Sequence, residues 1–562
     1  MRRSACAEGT APGPVTTRTV RALQTRPTSR TRATRREFAA GGFAAWIFWL
    51  LAVLLVGVPF CVSAVRLAGH EFERDAVIGP GGWMLLASTL GWAAGIGVVS
   101  MALAVPAACV LRARGWSVAP MILVPLTLPS YLSYSALSMA RAPGTVLGDW
   151  VEFAAQRGSK DIPIIAGQVL ALTGLSLWAW PISAVVAASQ WRFVEQTVLD
   201  SLRLEQASPA RRLWQLAIIG RRGLMLGASA VALVMLGSAV PLHLAQVRTY
   251  SMEVWSRLAL EPGNAGVWIS AWPLILAAFG AALIFSARAP GGGREIHTMF
   301  EFSNRRTRAA LIATTLIWIT STLLPLALFA FSVRSWSTLG VLWRYAGGAV
   351  VNSLLVSALV GAGAVVLMCL AWFSLSEVRS PVVRAAMKGG VFLWLCGAIM
   401  PGVLMGAAVR SAALVCESVP GFVSLLESPL ILAAGHLSRF GALPVLAGLW
   451  MAAAEPADHL ALRRLDGSVS LKGWMMGCLW AHWGVVAAVG IGASCLSLHE
   501  IEASVILQPA GTPSLAQILL GYLHFSRTEE LSVAAVILVG ASLLASLVAA
   551  VLARRSLRSE SM

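Results

Sequence analysis

The chain has 562 residues, of which 57% are hydrophobic and 12% charged, with a formal net charge of +17 and a mean hydropathy of +0.75. Soluble domains carry roughly 25% charged residues and cannot grow one core around so much apolar surface, so a water-soluble fold is excluded and lipid must solvate most of the chain. Nucleic acid is not the implied partner, because the arginines fall in short blocks beside apolar runs, as they do in the cytoplasmic loops of membrane proteins.

Residues 1–39 form a basic tail: the first 36 hold nine arginines and one acid, Glu8. Such a composition buries no core and is expected to be disordered. Apolar stretches then follow at about 43–65, 83–111, 118–137, 164–189, 222–244 and 265–287. A polar, glycine-rich linker spans 289–308, and six more stretches lie at about 309–332, 347–375, 389–410, 431–453, 484–507 and 531–553, before a short tail at 556–562. Each is near the ~20 residues that cross a bilayer as a helix. Continuous apolar runs, rather than alternation, exclude barrel strands. The expected fold is all-α and polytopic, with about 12 transmembrane helices in two six-helix repeats, 40–288 and 309–555. Basic residues cluster on alternate connections, which places both termini in the cytoplasm of a multi-pass inner-membrane protein.

The halves share internal features. Pro129 in the third span has a counterpart in Pro401 in the ninth. Each proline frees backbone groups in mid-membrane, tolerable only against protein or water, and reads either as a gate hinge or as a packing kink. After the fourth and tenth spans come long polar, helix-prone loops, and aligning Gln206 with Gly467 brings Leu204 over Leu465 and Glu205 over Asp466.

Chemistry of its own is not legible. The phosphate-binding GxxxxGK[ST] loop, HExxH and GxSxG are all absent, so neither a nucleotide nor a metal-hydrolase site is expected. Eight cysteines are scattered without CxxC or Cys/His grouping and read as buried small hydrophobes. No catalytic residue, metal site or cofactor is expected, and the energy source must be a partner protein or an ion gradient.

The two loops resemble the coupling loop of binding-protein-dependent ABC importer permeases. Arg464-Leu465-Asp466-Gly467-Ser468 stands where that family has Arg-Leu-Asp-Gly-Ala, and the stretch from Leu498 to Thr512 is similar to the eleventh span and external loop of fused ferric-iron and thiamine permeases. Asn352-Ser-Leu-Leu, Met400-Pro-Gly-Val and Ser438-Arg-Phe add to the likeness. The resemblance covers nearly all of 40–555 and implies a fused permease subunit importing ferric iron, or thiamine. Its partners would be two separate ATP-binding cassette ATPase subunits, docked on the cytoplasmic loops, and an extracytoplasmic solute-binding protein. Asp200, Glu205, Gln206, Arg464, Asp466 and Gly467 would be the coupling residues. Departures are Asp200 and Ala461 at the family's glutamate, Gln206 at its glycine, and no distal proline in either loop.

From the residues alone, each loop helix would offer Leu202, Leu213, Leu462, Leu465 and Trp474 either to a partner groove or to the membrane surface. Tyr131, Asn352 and Arg439 are candidate pathway residues. Arg439, a costly charge inside a span, either lines a path or anchors structure through a counter-charge. The alternative function is a 12-helix secondary transporter driven by an ion gradient, which calls for acids in mid-span. Glu500 and Glu502 read as lying near the outer end of one.

Overall fold

The computed structural model describes residues 30–68, 78–158, 161–191, 209–260, 265–288, 304–377, 381–417, 423–424, 427–455, 457–465, 470–509, 511–525 and 527–558. Among these there is no strand. The first half comprises α1 (Gly41–Ala68), α2 (Pro80–Arg114), the bent pair α3 (Trp116–Thr127) and α4 (Ser130–Met139), and α5 (Val146–Gln156). It continues with α6 (Ile162–Trp191), α7 (Pro209–Gly237), α8 (Val240–Leu244), α9 (Tyr250–Leu260), α10 (Ala265–Ser270) and α11 (Trp272–Arg288). The second half comprises α12 (Asn304–Ser332), α13 (Thr338–Glu377), α14 (Pro381–Ile399), α15 (Gly402–Val415), α16 (Pro429–Phe440), α17 (Ala442–Ala454) and α18 (Ala457–Leu465). It ends with α19 (Leu471–Leu479) and α20 (Trp483–Leu498), α21 (Glu502–Leu507), α22 (Leu515–His524) and α23 (Thr528–Arg558).

The chain is an all-α, multi-pass membrane protein. Eight described helices are long and apolar enough to cross a bilayer, or eleven spans if each of three bent pairs counts as one. The shortfall from twelve lies in 265–287, which breaks at Ala271 into α10 and a 17-residue α11. Outward faces are apolar stripes: Phe43, Trp46, Leu50 and Leu54 on α1, and Ile312, Leu316, Ile319 and Leu323 on α12 are all exposed. Spacings of three and four residues put each set on one helix face, and faces this apolar are stable against lipid rather than water.

The two parts of the chain share one local feature and pack closely against each other. In both the third span is broken at a proline, and the helix after the break begins with that proline as N-cap in extended backbone, Pro129 at φ −64°, ψ 123° and Pro401 at φ −49°, ψ 134°. Proline has no N–H to continue the helix, and it pushes the residue before it out of the helical region. The first span of each half packs on the other half. Phe48, Ala52 and Val56 of α1 share a core with Trp394 of α14 and Val445 of α17. Reciprocally, Trp318 Nε1 of α12 donates to the Met121 carbonyl at 2.8 Å, and Phe329 is buried in the same core as Leu128 and Tyr131. A π-helical turn in α1 at Val53–Gly57 loosens the usual backbone ladder, and the Leu55 carbonyl within it accepts from Ser438 Oγ of α16 at 2.7 Å.

Candidate functional site

Three helix breaks meet inside the protein: Ser238–Ala239 between α7 and α8, Met400–Pro401 between α14 and α15, and His499–Ile501 between α20 and α21. Each break leaves backbone N–H groups without helical partners. The carboxylate of Glu502 satisfies two of them, accepting from Ala239 N at 2.8 Å on one oxygen and from Gly402 N at 3.2 Å on the other. Glu502 belongs to the second half and Ala239 to the first, so this side chain ties the halves together. Arg439 supplies the counter-charge, its Nη2 standing 3.1 Å from Glu502 and its Nη1 donating to Glu500. Glu500 also accepts from Ala503 N, in the first turn of α21, at 2.9 Å.

The cluster is buried, with side-chain exposures of 17% for Arg439, 7% for Glu500 and 6% for Glu502. Arg439 lies ten residues into α16, about 15 Å along the helix at 1.5 Å per residue, beside the bend to α17. Burying three charges is tolerable only where each is paired and hydrogen-bonded, and here the backbone donors of the breaks complete the set. Around it, His436 bridges Ser497 and Ser504 at 2.8 and 2.9 Å, and Ser504 Oγ donates to the Glu500 carbonyl at 2.6 Å. Two glycines make the close approach feasible. A Cβ on Gly402 would overlap the Arg439 guanidinium, and one on Gly441 would overlap the buried ring of Trp394.

Tyr131 begins the turn after the Pro129 break, is 3% exposed and belongs to the same core as Ala239, Met400, Val403 and Ile501. Its hydroxyl has no hydrogen-bond partner among the described residues. Of the residues singled out in the sequence, Arg439 pairs with Glu500, and Tyr131 lies in the core that includes the neighbouring Ile501. Asn352 does not join them. It lines an open groove of about 520 Å³ with Trp343, Gly347, Gly348 and Pro429, between α13 and the start of α16.

Glu500 and Glu502, read from the sequence as lying near the outer end of a span, are buried beside a break between two helices. The apolar run 484–507 conceals the end of α20 at Leu498, so its acids sit at an internal break. A signal was present: an arginine in an apolar run demands counter-charges, and the pair Glu500, Glu502 follows a run that ends without caps.

Of the loop residues, Asp200, Glu205, Gln206, Asp466 and Gly467 lie outside the described residues, as does the side chain of Arg464. The flanking helix α18 is described. Arg463 pairs with Glu455 at 3.0 Å on its inner side, while Leu462 and Leu465 are 59% and 82% exposed. Trp474 departs from expectation. It is buried between Trp372 and Phe373 of α13, with ring centroids 5.2 Å from each, and so serves as an internal anchor rather than a docking surface.

Comparison with family models, with curated proteins and with solved structures finds no match for this chain.

Proposed function

We propose that this chain is the fused permease subunit of an ATP-driven, binding-protein-dependent importer, with both termini in the cytoplasm of the inner membrane. The observation that carries the proposal is α18. It is held to the end of α17 through Arg463 and Glu455 and leaves Leu462 and Leu465 exposed. Exposed leucines on a short, firmly held helix suit a groove on an ATPase subunit, and motion of that subunit would pass directly into α17 and α19. The closely packed halves fit a pore on a pseudo-twofold axis. On the resemblance of its loops and eleventh span, the solute is ferric iron, or failing that thiamine, delivered by an extracytoplasmic binding protein. ATP binding and hydrolysis on the partner would shift the population between access states through differential contacts.

One observation favours the second reading, a transporter driven by an ion gradient: the carboxylates of Glu500 and Glu502 are buried at mid-helix breaks between the halves, where coupling ions are bound in such proteins. Uptake of labelled ferric iron and thiamine by cells expressing the chain distinguishes the two. Uptake that survives a protonophore and a sodium ionophore but is lost on ATP depletion supports the importer. Uptake abolished by collapse of the gradients, with ATP maintained, selects the second reading.

A further inference from the structure

Helix α8 belongs to the first half and α22 to the second, and they share an apolar core that includes Val240, Leu244, Ala516, Leu519 and Leu523. At the ends of these two helices the rings of His243 and His524 stack across the seam of the halves, with centroids 5.7 Å apart and planes 30° from parallel. His243 is half-buried and His524 exposed, so solvent reaches the pair.

Each helix end fixes its histidine. After α8, Gln246 adopts the left-handed conformation (φ 60°), and its N–H donates to the His243 carbonyl at 2.9 Å while Val247 N donates to the Leu242 carbonyl at 3.0 Å. A residue other than glycine takes that conformation at a cost; here it secures the turn that carries His243. In α22, His524 Nδ1 stands 3.0 Å from the Leu520 carbonyl. A carbonyl only accepts, so Nδ1 carries the proton and Nε2 keeps its lone pair. Metal-binding histidines are oriented in the same way, by a hydrogen bond from the other ring nitrogen to a backbone carbonyl. The His243 ring makes no hydrogen bond among the described residues, so a neutral His243 also has a nitrogen lone pair to offer.

The spacing of the rings suits one ion between them. With metal–nitrogen bonds of about 2.0–2.1 Å, two imidazoles on one ion have centroids about 5 Å apart at a tetrahedral angle and about 6.4 Å apart when directly opposed. The observed 5.7 Å lies between the two. Among the described residues, no three His, Cys, Asp or Glu side chains are grouped as a metal set. Water or solute therefore fills the remaining positions, which makes the site open and exchangeable rather than closed and structural.

We propose that His243 and His524 bind one divalent transition-metal ion through one nitrogen of each ring, and that the ion clasps α8 to α22 across the seam. Zinc, nickel and copper are the ions that imidazole suits. The proposal follows from the ring geometry and is independent of the energy source and of the transported solute.

The test uses the full-length chain in detergent, purified on a tag without histidine and stripped of metal with a chelator. Zinc chloride is titrated in competition with a chromophoric indicator, and cupric chloride is added to a second sample for electron paramagnetic resonance. One zinc per chain, bound in the micromolar range, is expected, together with two equatorial nitrogens on copper. Loss of even an outer-shell partner of a metal ligand costs about ten- to hundred-fold in affinity, so His243→Ala and His524→Ala should each weaken zinc by more than about ten-fold. Because the rings share one ion, the double variant should be little weaker than either single one, and each single variant should show one nitrogen on copper. A wild type without micromolar binding overturns the proposal, as does a double variant that binds like the wild type, which means an adventitious ion only. Two ions bound independently, one lost with each substitution, overturn the shared site. If His243→Ala fails to fold, the exposed His524→Ala decides: zinc binding identical to wild type overturns the proposal.

Discussion

Replacing Arg439 with methionine keeps the length of the side chain and removes its charge. Glu500 and Glu502 then face each other at 7% and 6% exposure with backbone N–H groups as their remaining partners. Breaking a buried ion pair from one side costs about 3–5 kcal/mol, because the surviving charge stays buried. With an unfolding entropy near 2 cal/mol/K per residue, that corresponds to a fall of roughly 3–4 °C in the thermal midpoint of a chain this long. The assay is the fraction of detergent-solubilised protein remaining monodisperse by size-exclusion chromatography after heating, with Arg439→Met compared to Arg439→Met/Glu500→Gln/Glu502→Gln. The triple variant removes all three charges and is expected to recover most of the loss, leaving the unmatched N–H groups of Ala239 and Gly402 as its residual defect. An Arg439→Met protein as stable as wild type, or a triple variant no better than the single, would refute the reasoning that the cluster is held by charge pairing.

Glu502→Gln should lose more stability than Glu500→Gln, since an amide cannot accept from both Ala239 and Gly402 while the carboxylate does; each buried N–H left unpaired costs about 1–3 kcal/mol, and equal midpoints would contradict the asymmetry. Gly402→Ala should lower the midpoint much as Arg439→Met does, because its methyl group displaces the guanidinium; a shift below about 1 °C would mean that the seam relaxes freely. Trp474→Ala should cost about 3–5 kcal/mol as a buried aromatic truncation, whereas Leu465→Asp, at an exposed site, should leave the midpoint unchanged and abolish transport. In the loops, Gly467→Arg should uncouple transport from ATP hydrolysis more severely than Gln206→Arg, and cysteines at Ser208 and Ser468 should label only from the cytoplasmic side of intact cells.

Much of the architecture was legible before any coordinates. Continuous apolar runs dictated helices, and Pro129 and Pro401 marked equivalent breaks because proline acts locally, through its own missing N–H and its effect on the preceding residue. Hydropathy could not show where a run stops being one helix. The stretch 484–507 is apolar throughout, yet α20 ends at Leu498, and 265–287 divides at Ala271. For the same reason Glu500 and Glu502 read as outer-end acids. Their burial depends on how the breaks at Ala239, Met400 and Glu500, far apart in the chain, come together. Trp474 was misread because helical spacing alone does not say which face meets α13 and which meets a partner. Arg439 stood out as a charge in apolar company, but the carboxylates that pair with it follow a different span and could be placed only by the fold.

The most direct test of the importer reading is whether ATP hydrolysis travels with this chain through α18. Full-length chain, affinity-tagged and purified in mild detergent from membranes of its native host, is assayed for ATPase activity in the eluate, beside the Leu465→Asp variant at matched yield. Hydrolysis that co-elutes with the wild type and is lost with Leu465→Asp is the result the importer predicts. Hydrolysis absent from both preparations, or equal in both, would contradict it.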